Sequence, residues 1–163
     1  DCSSKDGFSV AKEISHFSQK ENFDLIICGR ESIDYNGGMV GGVIAGILDY
    51  NFITNCVDLD IKGANTQVSR EIDGGIEILE CNLPLVLGAQ KGLVEESDLI
   101  IPNMRGIMMA RQKPLETIEA QNFNAESINQ GYHKPDAKKE VKLVKADEVD
   151  KLIDLLENEA KVI

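Results

Sequence analysis

The chemistry this sequence offers is concentrated in a glycine-bearing loop and one charged constellation. Residues 29–40 read GRESIDYNGGMV and follow directly on the apolar run FDLIIC at 23–28. Gly29, Gly37 and Gly38 permit close backbone approach, and the N-terminus of the next helix would offer free N–H groups to a phosphate. Ser32 and Asp34 add polar contacts. Taken alone, the loop reads first as a tight strand-to-helix turn. The second group, Arg70, Asp73 and Glu77, has the residue types of general acid and base work. No Ser, His, Asp arrangement accompanies it. The two histidines, His16 and His133, stand in no ligand spacing with cysteines or carboxylates, so a zinc site has almost no support. The four cysteines show no C-x-x-C spacing. Cys28, Cys56 and Cys81 fall in or beside strand-like runs and read as buried free thiols, which points to a reducing compartment.

Composition narrows the partners. There are 17 Lys and Arg against 28 Asp and Glu, a formal net charge of -11, so binding to a phosphate backbone would work against general repulsion. Nucleic acid is therefore not an expected partner, and the acidic surplus reads as a well-solvated surface. No apolar window is long enough to span a bilayer, and the start DCSSKDGFSVAKE lacks a basic stretch leading into an apolar one. The expectation is a cytoplasmic protein without membrane insertion. The chain has no initiator Met and starts almost directly in a helix, so a fragment is expected.

Positioning the loop requires alternating elements. Phe8, Ala11, Ile14 and Phe17 make one helical stripe over residues 6–20, with Ser3, Ser4 or Asp6 as caps. Residues 23–28 have the pattern of a parallel strand buried on both faces. A small-residue helix is expected over 39–48, so the loop would sit at the carboxyl end of a parallel strand, where open α/β sheets place ligands. Strands are expected at 56–61, 66–72 and 76–82, the last two joined by Asp73-Gly74-Gly75 as a hairpin, giving an antiparallel meander. Another apolar strand occupies 83–88, with Pro84 near its start. A charged loop over 90–101 carries Leu93 and Val94, and a helix follows over 102–111. Residues 114–145 are polar and aperiodic, and a final helix carries Val149, Leu152, Ile153, Leu155 and Leu156 on one stripe. The predicted fold class is α/β: a Rossmann-like parallel sheet with flanking helices, a β-hairpin, and an extended C-terminal arm ending in a helix.

The stretch VSREIDGGIEILECNLPLVLG at 68–88 resembles the signature of electron transfer flavoprotein beta subunits, through Arg70, Asp73, Gly74, Gly75, Glu77, Leu79, Pro84 and Val86. Gly88 is a departure, since the pattern prefers another small or hydroxylated residue there. DLIICGRESIDYNGG is similar to that family's nucleotide loop, and GLVEESDLIIPNMRGIMMARQKP to its partner-recognition loop and following helix. The resemblance covers about residues 6–114. The family's N-terminal portion, including its first strand, is missing, so an incomplete site is expected.

The resemblance implies an adenine nucleotide alpha hydrolase-like fold with a partial nucleotide-binding domain at 1–114. It further implies an arm and helix at 115–163 that docks on the partner subunit. It implies AMP, or in electron-bifurcating relatives a second FAD, bound by Gly29, Arg30, Ser32, Asp34, Gly37, Gly38, Met39 and Val40. Met39 departs from the Gln of many relatives. Catalytic FAD would sit mainly on a larger alpha subunit, and no side chain here would perform covalent chemistry. The chain would thus be an electron carrier and not an enzyme, with Arg70, Asp73 and Glu77 forming turns and ion pairs at a subunit interface. Leu93, Val94 and Glu95 would dock an acyl-CoA or related flavin dehydrogenase of fatty acid oxidation, with Leu93 as the anchor. Where animal members carry a lysine run, this chain has Met108, Met109, Ala110, Arg111 and Gln112. A reading independent of the family is a stand-alone adenine-nucleotide sensor or hydrolase. The absence of a Walker-type G-x-x-x-x-G-K-[ST] weighs against it.

Overall fold

A computed structural model describes residues 5–63, 65–137 and 141–163; the cap candidates Ser3 and Ser4, and Cys2, lie outside them. The chain divides into two compact units, the first ending at Ile128 and the second running Asn129–Ile163.

The first unit is built on a five-stranded sheet of order β1-β5-β2-β3-β4. Its strands are β1 (Leu25–Gly29), β2 (Asn51–Lys62), β3 (Asn65–Ile72), β4 (Gly75–Asn82) and β5 (Leu85–Ala89). β5 pairs in parallel with β1 and with the first part of β2, whereas β3 pairs antiparallel with β2 and β4. The meander and hairpin follow the sequence reading. Ile72 and Gly75 face each other across a two-residue loop, and Gly74 takes φ +90 there, a conformation L side chains rarely adopt.

Two expectations about strands are corrected. β1 is not buried on both faces: it forms an edge of the sheet among the described residues, and Ile27 is 54% exposed. The doubly buried parallel strand is β5, where Leu85, Val86 and Leu87 are all fully buried. β2 starts at Asn51, five residues before the expected strand, and runs for 12 residues. Asn55 takes φ 57 and the register slips between Ile53 and Cys56, so the first part of β2 pairs with β5 and the second with β3. A polar residue in a bulge hides the continuity from any pattern of alternation.

Two apolar clusters use opposite sides of β5. Val86 packs with Ala11, Ile44, Ala45 and Leu48 from the helices α1 (Gly7–Glu21) and α2 (Met39–Leu48). Leu85 and Leu87 pack with Ile53, Cys56 and Val68. Gly88 lies tight against β2: a Cβ there would meet Thr54 Oγ1 at 2.9 Å and Thr54 Cα at 3.2 Å.

Asp6 caps α1, accepting from Ser9 N at 2.8 Å. The buried face of α1 is Ser9, Ala11, Ser15 and Ser18; of the expected stripe of Phe8, Ala11, Ile14 and Phe17, only Ala11 belongs to it. Small side chains win this face because α2 is itself built of glycine, alanine and branched residues and sits close. Ile14 and Phe17 instead line a groove with residues 118–121. The chain over 121–127 is laid on α1 by its carboxylates. Glu13 accepts from the N–H groups of Gln121 and Phe123, and Asp6 Oδ2 accepts from those of Glu126 and Ser127. Both carboxyls are consequently held below their usual range, chiefly by Ser9 N–H at Asp6 and Gln121 N–H at Glu13.

Helix α3 (Met104–Ala110) is capped by Asn103, whose side chain accepts from Gly106 N at 2.8 Å; Pro102 precedes the cap instead of opening the helix. In the second unit, α4 (Val149–Asp154) runs on into a π-helical turn at Leu155–Ala160. Neither contains a buried residue.

Candidate nucleotide loop and its surroundings

The loop begins where β1 ends. Arg30 N donates to Ala89 O at 3.1 Å, so the exits of the two neighbouring parallel strands are tied together. Ser32 N donates to Gly37 O at 3.0 Å and closes the loop, with Asn36 at φ 51 inside it. Asp34 accepts from the Ser32 hydroxyl and from Tyr35 N, which holds its carboxyl below the ordinary range and keeps it ionised. A Cβ on Gly38 would lie 3.3 Å from Arg30 O, and one on Gly37 3.4 Å from Ser32 Oγ. Gly38 also precedes α2 as its cap and supplies no side-chain bond, so no cap side chain claims the first N–H groups of that helix.

A cleft of about 430 Å³ opens at the strand exits, lined by Gly29, Arg30, Glu31, Ala89, Gln90 and Lys91. A hypothetical Cβ on Gly29 meets nothing within 4 Å, so this position faces open space. A second cleft of about 440 Å³ shares Arg30 and Gln90 and is bounded by Asn55, Arg70, Glu71, Ile72 and Asp73. Between the two, Arg30 donates to Glu31 at 2.5 Å and to Gln90 at 3.4 Å, while the Gln90 amide donates to Glu71.

The eight loop residues singled out in the sequence take different positions. Gly29 and Arg30 line the cleft, and Ser32, Asp34, Gly37 and Gly38 shape the loop. Met39 leans over Gly7 of α1 and stays 48% exposed, and Val40 packs, partly buried, on the first core cluster. Sequence reasoning missed Gln90 and Lys91. The signal was available, because a strand parallel and adjacent to β1 must deliver its exit to the same end of the sheet.

Arg70 and Glu77 stand opposite each other in the hairpin and pair at 2.6 Å, and Asp73 occupies the turn. Leu93 is half-buried against the second core cluster, whereas Val94 is 55% exposed and Glu95 is exposed. Beyond a 3-10 turn at Glu96–Asp98, Ile100 and Ile101 are 97% and 78% exposed. Cys56 is buried and Cys28 and Cys81 are half-buried, all three as free thiols. Burial pushes each thiol's pKa up. Among the described residues no cluster of His, Cys, Asp and Glu is arranged to hold a metal, and no helix is long and apolar enough to cross a membrane.

These features define a mixed α/β fold whose partly parallel sheet, flanked by helices, presents a strand-to-helix loop at its carboxyl end. Residues 3–122 match the family model described as the electron transfer flavoprotein domain. The chain is 33% identical over 173 residues to the electron transfer flavoprotein subunit beta of Bacillus subtilis, covering 100% of this chain and 66% of that protein. It is 37% identical over 111 residues to the Sus scrofa subunit beta, covering 68% of this chain and 42% of its relative. To the mitochondrial subunit beta of Oryza sativa subsp. indica it is 29% identical over 160 residues, 95% of this chain and 61% of that one. The chain belongs to the electron transfer flavoprotein family, among proteins named as its beta subunits. It spans between about two fifths and two thirds of the length of these relatives.

Proposed function

We propose that this chain is the nucleotide-holding and partner-docking portion of the beta subunit of a heterodimeric electron transfer flavoprotein. Such a carrier would take electrons from flavin dehydrogenases, such as acyl-CoA dehydrogenases, and pass them to a downstream acceptor in the cytoplasm. The observation that carries the reading is the loop between β1 and α2, opening on a cleft of about 430 Å³ in a chain of this family. That volume lies within the range of small-molecule sites, roughly 300–1,000 Å³. The donor set suits a nucleotide: uncapped N–H groups at the start of α2, the Arg30 guanidinium, and the ionised Asp34 carboxylate as an acceptor for hydroxyl groups.

AMP is the proposed occupant, with a second FAD the corresponding ligand in bifurcating relatives. Gly29 and Arg30 would line it, Ser32, Asp34, Gly37 and Gly38 would hold the loop's shape, and Met39 and Val40 would contribute backbone N–H groups. FAD, held mainly by a larger alpha subunit, would supply the electron chemistry. The residues of this chain would orient and bind, and none would act as a covalent catalyst; Arg70, Asp73 and Glu77 would brace the hairpin at a subunit interface.

The dehydrogenase would dock on the loop after β5. Leu93 pins that loop to the core, which leaves Val94 and Glu95 at its tip and the Leu99–Ile101 run as the apolar contact, ringed by acidic residues that exclude water on docking. Of the arm and helix over residues 115–163, α4 would make the dock on the alpha subunit, since its Val149, Leu152 and Ile153 stay exposed while residues 121–127 are held on α1.

The test is to purify the full-length protein with its larger subunit and identify released nucleotides by mass spectrometry. A yellow heterodimer releasing AMP or excess FAD is expected. A colourless monomer without nucleotide would overturn the proposal.

A further inference from the structure

Resting on the nucleotide reading, we propose that the exit of β5 supplies the other half of the site, with Lys91 as the cation that meets the nucleotide's phosphate. Gly29 and Ala89 lie opposite each other in a parallel pair, so residues 90 and 91 leave the sheet beside residues 30 and 31. The first cleft is accordingly lined by three residues from each exit.

Charge decides which group is available. The Arg30 guanidinium is shared, since Glu31 already pairs with it at 2.5 Å and Gln90 accepts from it. Lys91 has no carboxylate partner among the described residues. In the second cleft the two cations Arg30 and Arg70 face two carboxylates, Glu71 and Asp73, and Arg70 is also held by Glu77. In the first, Arg30 and Lys91 face Glu31 alone, so the surplus positive charge lies there and an anionic phosphate is favoured in it.

The backbone that carries Lys91 is fixed on both sides. Gln90 N donates to Cys56 O at 2.9 Å, and Leu93 N donates to Gln90 O at 3.3 Å. Gly92, at φ +110, turns the chain so that Leu93 returns to the core. Lys91 is thereby held at the lip of the cleft, exposed and without a structural duty of its own.

The experiment titrates the nucleotide-stripped full-length heterodimer with AMP and with adenosine, which lacks the phosphate. Lys91→Ala is expected to weaken AMP about three- to fivefold, as loss of one exposed ion pair would. It should leave adenosine binding unchanged and flatten the salt dependence, and Lys91→Arg should restore AMP. Equal AMP affinity in the parent and Lys91→Ala overturns the role of Lys91 while leaving the nucleotide site standing. An equal loss for adenosine overturns it too, since the side chain would then act on shape. A parent protein that binds neither ligand overturns the nucleotide reading and this assignment together.

Discussion

Replacing Gly88 with alanine tests how tightly β5 is held against β2. The new Cβ would be placed 2.9 Å from Thr54 Oγ1, 3.2 Å from Thr54 Cα and 3.4 Å from Thr54 Cβ. The hydroxyl can rotate away, but the Thr54 backbone sits in the bulge between Ile53 and Cys56, whose neighbours on both sides are paired with β5, so it can shift only by disturbing that pairing. Overpacking of one methyl in a filled core costs about 1–3 kcal/mol. Alanine returns roughly 0.5–1 kcal/mol by restricting the unfolded chain. The net loss expected is therefore about 1–2 kcal/mol, and for a chain of this size roughly 2–8 °C in Tm. Urea unfolding followed by circular dichroism reads it directly. Pairing the change with Thr54→Ala should recover part of the loss and not all, because the crowding against the Thr54 main chain remains. Full recovery, or a Gly88→Ala protein as stable as its parent, would refute the backbone account.

Other outcomes follow from the same geometry. Asp6→Ala should loosen both the start of α1 and residues 126–127, seen as faster amide exchange in both places. The Asp6 carboxyl is held below its ordinary 3.8 in the folded chain, so its stabilisation is complete above that value and is lost as pH falls further. A latch that tightened on acidification would contradict this. Leu93→Ala should cost about 1–2 kcal/mol by unpinning its loop from the core, whereas Ile100→Ser should leave urea unfolding unchanged and slow dehydrogenase-coupled dye reduction. Unaltered rates with Ile100→Ser would count against the docking loop. Cys56 should resist iodoacetamide in the folded protein and react only after unfolding, since its thiol is buried and its pKa raised.

Much of the framework around the candidate loop was legible because glycine and hydrophobic runs mark it locally. The bounds of α2, the Asp73-Gly74 turn and the parallel strand before Gly29 all come from short-range patterns. What was not legible depended on neighbours distant in sequence. The sequence shows Phe8, Ile14 and Phe17 as a stripe on α1, but it does not show that a glycine-rich α2 would accept only the serine face. Likewise, β1 and β5 look equally apolar, and only the strand order makes one an edge and the other an interior strand. Lys91 belongs to the same class, a lysine in a charged loop until the pairing of Gly29 with Ala89 places it at the cleft.

The change of partner within β2 makes a single beam of two structures. Its first part anchors the parallel layer that presents the nucleotide loop, and its second part carries the hairpin, with Asn55 as the joint. Fraying cannot then stay on one side of that joint without straining the other. Amides on both sides should open as one cooperative group in native-state exchange, and the hairpin should report on loosening at the loop end of the sheet.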